Sequence, residues 1–207
     1  VSDVASALDA EQADKLAITE LVRMERYWRD TARWDLLAAS YTPDSRVRTT
    51  WFDGSGPDFA EASREMANRG RLSRHLITPT YVRVEGDRAL VDSYGEIHNR
   101  EIVAEVEVDI LMYCRFFSRV SRSEEGWRLA SFDGIYLKDQ LTPVDPGAEL
   151  PIDWAEVERF PRPPYRVWAF TLSLKGYEIG TEELAEDRPE QIEEFLRAAE
   201  GWLREAS

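Results

Sequence analysis

The chain has two histidines in 207 residues, His75 in Arg74-His75-Leu76 and His98 in Ile97-His98-Asn99. Imidazole is the side chain whose ordinary pKa, about 6.5, lets it take or give a proton near neutrality. A carboxylate at its other ring nitrogen fixes the tautomer and stabilises the imidazolium. Asp30, which closes the first long helical segment, supplies such a carboxylate. Asp30, His75 and His98 are therefore the candidate catalytic set for acid–base chemistry. Spacing alone favours a plainer arrangement, with one histidine satisfied in the core and the other on the surface. Two imidazoles and a carboxylate also match an iron-binding facial triad.

The elements that must position these groups follow from periodicity. Over residues 10–29, Leu16, Ile18, Leu21, Val22 and Trp28 recur at spacings of three and four among charged residues, the stripe of an amphipathic helix. Asp30-Thr31 ends it. Trp34, Leu37, Ala38 and Tyr41 make a second, short helical face that stops at Thr42-Pro43-Asp44. Arg46 to Phe52 reads as a strand and Phe59 to Arg69 as a third helix closed by Gly70. From His75 onward the texture is β: segments 75–85, 88–99, 103–121 and 126–137, with turns at Glu85-Gly86-Asp87 and Ser123-Glu124-Glu125-Gly126. Helices followed by an antiparallel meander predict an α+β domain over residues 1–142, a cone-shaped curved antiparallel sheet wrapped around the N-terminal helices and enclosing a cavity. Residues 143–207 form a C-terminal extension. It is a proline-punctuated arm followed by a helix from about Glu182 or Pro189 to Arg204.

Composition narrows the function. A net charge of −14 repels phosphate backbones and anionic lipid, so neither nucleic acid nor a membrane surface is the expected partner. Seven Trp, eight Tyr and eight Phe suffice to wall a pocket as well as fill a core. The single cysteine, Cys114, excludes an internal disulfide and a cysteine-rich zinc site. No secretory leader or membrane span is visible in the sequence, so a cytoplasmic protein is expected. There is no Gly-x-Ser-x-Gly elbow, and Gly54-Ser55-Gly56 is too short for a phosphate cradle.

The layout from Leu16 to Leu141 resembles the SnoaL-like branch of the nuclear-transport-factor-two-like superfamily, closest to the scytalone dehydratase type. The carriers are Tyr27-Trp28-Arg29-Asp30-Thr31-Ala32-Arg33-Trp34-Asp35, Arg74-His75-Leu76, Ile97-His98-Asn99-Arg100 and Glu125-Gly126-Trp127-Arg128-Leu129. The resemblance implies a cone whose mouth admits a small aromatic or polycyclic molecule, with chemistry that needs no cofactor and no metal. It also implies Asp30, His75 and His98 as the catalytic set. Two family tyrosines are replaced, one by Arg29 beside the acid and one at about Thr49.

Tyr27, Trp28, Trp51, Tyr94, Tyr113, Phe116, Phe117 and Tyr136 are candidates to line the cavity. Arg29 and Arg115 are candidates to stabilise a developing phenolate or enolate. The expected function is a cofactor-independent lyase, a dehydratase by default. The alternatives are a retro-aldol side-chain lyase on a phenolic substrate, a polyketide cyclase or isomerase, or a non-catalytic ligand-binding module. The arm carries Trp154, Phe160, Tyr165, Trp168 and Phe170, too much apolar surface to leave in water. It is expected to cover the pocket and to contact a partner subunit in a homodimer or homotrimer.

Overall fold

The apolar stripe of the first segment forms helix α1 (Ser2–Asp30) in the computed structural model, which describes residues 2–70 and 73–205, with side chains from Ala10 onward. Ile18 and Val22 of the stripe are buried. The helix starts earlier than the expected residue 10. It ends as expected at Asp30, through backbone bonds from Arg33 N–H to Trp28 O (2.8 Å) and from Ala32 N–H to Arg29 O (3.4 Å). These place Ala32 at φ 59°, in the left-handed region where a helix stop usually has glycine. Ala32→Gly is therefore expected to stabilise the fold by about 1 kcal/mol, as read by chemical denaturation. An unchanged midpoint would show that the alanine is not strained there.

Helix α2 (Trp34–Ala39) stops at Ser40, whose hydroxyl donates to Leu37 O at 2.6 Å. Tyr41 thus opens strand β1 (Tyr41–Thr49) and does not extend the helical face. The expected strand at residues 46–52 is replaced by β1 and the short β2 (Phe52–Gly54). Pro43 is tolerated because β1 shifts register between Tyr41 and Arg46. Helix α3 (Gly56–Asn68) is capped by Ser55, whose Oγ accepts from Asp58 N–H at 3.2 Å.

The meander is β3 (Arg74–Glu85), β4 (Arg88–Val103), β5 (Val106–Ser123) and β6 (Gly126–Pro143), and the six strands lie in the order β2-β1-β6-β5-β4-β3. The sheet is mixed, not purely antiparallel, because β1 runs parallel to β6. The long excursion through α3 and β3–β5 supplies the crossover that a parallel pair requires. Strands β4 and β5 run past the expected break after residue 99. Their hairpin turns at Ala104-Glu105, both at positive φ (49° and 67°), a turn with no glycine or asparagine to announce it.

Beyond Pro143 the arm contains α4 (Trp154–Glu158), a 3-10 turn at Pro163–Tyr165, α5 (Arg166–Ser173) and α6 (Pro189–Arg204). It docks on its own chain. Tyr165, Trp168 and Leu172 are buried in the same core as Phe116, Phe132 and Tyr136, whereas Trp154 stays 55% exposed. Helix α6 covers part of the opposite face of the sheet, where Phe195 meets Phe117 edge-on at 5.2 Å. No helix among the described residues is long and apolar enough to cross a membrane.

Candidate active site

Asp30 is the last residue of α1 and His75 the second of β3, and α1 lies across β3. This contact joins them. Asp30 Oδ1 stands 2.6 Å from His75 Nδ1, and Asp30 Oδ2 accepts the His75 backbone N–H, also at 2.6 Å. The carboxylate therefore grips both the ring and the strand that carries it. The His75 side chain is only 3% exposed. Burial raises the Asp30 carboxyl, but the hydrogen bonds from His75 and the nearby Arg29 charge outweigh it and hold the pKa below the usual range. For His75, burial pulls the pKa down to about 4 against the Asp30 hydrogen bond, with the charges of Arg29 and Arg26 adding to the depression. A pKa near 4 leaves the imidazole neutral at neutral pH, and the ionised carboxylate beside Nδ1 favours the tautomer that carries its proton there. Its Nε2 has no hydrogen-bond partner among the described residues.

His75 borders an internal cavity between α1, α3, the concave face of the sheet and the arm. Its walls include Arg29 from α1, Phe59 from α3, Trp51, and Phe116, Phe132 and Tyr136 from the sheet. Phe116 lies flat over β4 because residue 95 is glycine, where a Cβ would come within 2.4 Å of the ring. Trp168 of α5 closes the space, its indole N–H donating to Thr50 Oγ1 at 3.0 Å. Thr50 N–H in turn donates to the Tyr136 hydroxyl at 2.9 Å. With the arm docked, the cavity is ≈20 Å³. That is room for about one water.

The structure separates the expected set. His98 does not join Asp30 and His75. In the β3–β4 ladder His75 pairs with Ile97, so the next residue, His98, points to the opposite face of the sheet. There it is 46% exposed and its Nε2 lies 2.9 Å from Glu96 Oε2. A facial triad of Asp30, His75 and His98 is thus ruled out by geometry, and no cluster of three His, Cys, Asp or Glu able to hold a metal occurs among the described residues.

Of the ten expected pocket residues, Arg29, Trp51, Phe116 and Tyr136 line the cavity and six do not, Trp28 packing half-buried against the core. Tyr27 is turned outward on α1 and is 56% exposed. Tyr94, Tyr113, Arg115 and Phe117 lie on the outer face by the same alternation that moves His98. There Tyr94 is exposed, Tyr113 carries the Lys138 ammonium 4.5 Å above its ring, and Arg115 donates to Asp92 at 3.1 Å. Phe117 is covered by α6. Sequence reasoning missed Arg26, Thr50, Phe59 and Phe132, whereas Trp168 belongs to the arm expected over the pocket. Arg26 was legible, since it stands three and four residues before Arg29 and Asp30 and so shares their helix face.

A family profile for the SnoaL-like domain matches residues 10–133. Pea pathogenicity protein 2 of Fusarium vanettenii is 25% identical over 210 residues, covering 94% of this chain and 88% of that protein. An uncharacterized protein of Aspergillus terreus is 26% identical over 174 residues, 76% of this chain and 64% of that one. Among solved structures, a "Putative Scytalone Dehydratase" from Novosphingobium aromaticivorans superposes with a TM-score of 0.54 at 18% identity, covering 70% of this chain and 97% of the other. A hexachlorocyclohexane dehydrochlorinase, LinA Type2, gives 0.53 at 17% identity, covering 69% and 97%. At these identities the structural likeness speaks for the fold alone.

Proposed function

We propose that this chain, which belongs to the SnoaL-like domain family, is a cofactor-independent lyase that removes water from a small hydroxylated aromatic compound. The observation that carries this reading is the Asp30–His75 pair at 2.6 Å, with His75 in the wall of an aromatic-lined cavity. His98 no longer contributes, so the reading rests on this one dyad.

In the proposed reaction, His75 Nε2 takes a proton from the carbon next to an activating carbonyl or aryl group. The electron pair of that C–H bond becomes the new C=C bond, and the hydroxyl on the adjacent carbon leaves. The imidazolium, stabilised by Asp30, returns its proton to the departing oxygen, so that one water is released and the base is restored. The family's range supports an enzyme, since solved structures of this fold are named as a dehydratase and a dehydrochlorinase. A ligand of aromatic size needs far more than the closed volume, typically ~300 Å³ or more. Trp168 must therefore move when substrate enters, so the arm acts as a lid. The exposed apolar residues Leu76 and Tyr94 on the uncovered part of the outer face support self-association as a homodimer or homotrimer.

The test is a panel of hydroxylated aryl ketones incubated in D₂O and followed by mass spectrometry. The wild-type protein is expected to release water and to exchange deuterium into unreacted substrate at the carbon that loses its proton. Asp30→Asn should do neither at a comparable rate. Release of a carbon fragment in place of water would move the assignment to the retro-aldol class. Binding with no turnover across the panel would favour a ligand-binding module.

A further inference from the structure

Arg29 is more than nine-tenths buried in the cavity wall, yet no carboxylate among the described residues pairs with it. Its contacts are Ser63 Oγ at 3.3 Å, Met66 Sδ at 3.9 Å and the rings of Trp51 and Phe59, 5.9 and 5.7 Å from the guanidinium carbon. The two acids nearest in sequence are both engaged elsewhere. Asp30 spends both oxygens on His75, and Glu25 spends both on Arg26 while also accepting from the Tyr41 hydroxyl. A guanidinium has five N–H donors, and these contacts employ two of them, weakly. Burying a charge without an anionic partner is costly. The same wall holds a second unsatisfied group, Thr49 Oγ1, which is buried and has no hydrogen-bond partner. A buried cation and an unpartnered hydroxyl thus belong to the wall of one cavity that His75 also lines.

We propose that the ligand carries an oxyanion on its aromatic ring, a carboxylate or a phenolate, which the Arg29 guanidinium binds in the cavity with the Thr49 hydroxyl as a second donor. This rests on the reading of the cavity as the active site and adds the charge of the substrate. It makes the otherwise uncompensated cation a recognition element: the ligand completes the ion pair that the protein leaves open. A neutral isostere would leave the guanidinium desolvated and unpaired, so discrimination against it is built in.

Binding to the full chain, measured without turnover, tests this independently of the catalytic reading. 4-Nitrobenzoate is compared with 4-nitrobenzamide, and 4-nitrophenolate with 4-nitroanisole, by calorimetry. The anion of at least one pair is expected to bind ten- to hundredfold more tightly than its neutral partner. The pair that shows the preference identifies carboxylate or phenolate. If 4-nitrophenol binds, its ionisation on the protein should shift to lower pH, visible as phenolate absorbance below its normal titration. Arg29→Met should erase the preference while melting at or above the wild-type temperature, because it removes an unpaired buried charge; Arg29→Lys should restore part of the preference. Equal affinity for anion and neutral compound in the wild type, or no binding of either anion, overturns the proposal, as does an Arg29→Met protein that keeps the preference. His75→Ala should leave the preference intact. Loss of turnover in that variant without any anion preference would sink the charge assignment alone.

Discussion

His75→Ala is expected to lower turnover by about 10²–10⁴ while His98→Ala leaves it within a few-fold of wild type, the first being the usual yield of a positioned acid–base group. The asymmetry follows from the β3–β4 register, which sends one ring to the cavity and the other to solvent. Both variants should fold. His98 lies half-exposed on the outer face, and the alanine at position 75 removes a ring whose main polar partner, Asp30, keeps its bond to the backbone N–H. The pH profile carries the same signature. His75 acts as a base only when neutral, and its pKa is depressed to about 4, mainly by burial. In the ligand-free protein, kcat/KM should therefore hold constant as pH falls through 6.5 and decline only on approaching about 4. A ligand that neutralises Arg29 removes one of the charges depressing His75. The limb for kcat should then lie at higher pH than the limb for kcat/KM. Equal losses in the two histidine variants would show that neither ring acts from the cavity.

Trp168→Ala is expected to cost about 3–5 kcal/mol of stability, the usual penalty for removing a large buried aromatic side chain. Three contacts go together at this position. The ring fills the roof of the cavity, the indole N–H satisfies Thr50 Oγ1, and the residue's backbone N–H binds Asp139 Oδ2 at 2.7 Å at the start of α5. Only the last survives the substitution. Denaturant midpoints at constant m-value give the magnitude. The variant also discriminates between a lid and a simple core element. A lid predicts that the surviving folded protein admits larger ligands and binds them faster, because less must move. A stability loss with unchanged ligand size and association rate would make Trp168 a packing residue alone.

The difference between what the chain announced and what it concealed is largely a matter of strand parity. The Leu16 to Trp28 stripe, the stop at Asp30 and the meander turns at Gly86 and Gly126 were readable because each has a local cause: a 3.6-residue period, or a turn that favours glycine. The partnership of Asp30 with His75 came from resemblance, since 45 residues separate them and only the packing of α1 on β3 brings them together. The outward turn of His98 is legible in the sequence. Glu96, His98 and Arg100 alternate with Gly95, Ile97 and Asn99, and a strand that places three charged or polar groups on one face turns that face to water. The same alternation removes Tyr94, Tyr113, Arg115 and Phe117 from the cavity and leaves Phe116 in it. Two features had no local signal. The hairpin at Ala104-Glu105 uses residues that rarely adopt positive φ, and the return of the arm to put Trp168 over the cavity depends on contacts across 118 positions to Thr50. The parallel pairing of β1 with β6 belongs with them, being set by topology and not by composition.

In the proposed reaction Asp30 holds His75 as a neutral base whose Nε2 serves the cavity. Histidine-detected ¹⁵N NMR measures this directly, and a chain with two imidazoles gives a spectrum that His98→Gln assigns in one step. At pH 7 His75 is expected to be neutral with its proton on Nδ1 and to titrate near pH 4, and Asp30→Asn is expected to disturb the Nδ1–H tautomer. A His75 ring protonated on Nε2 at pH 7, or one that titrates near 6.5 like an exposed imidazole, would contradict it.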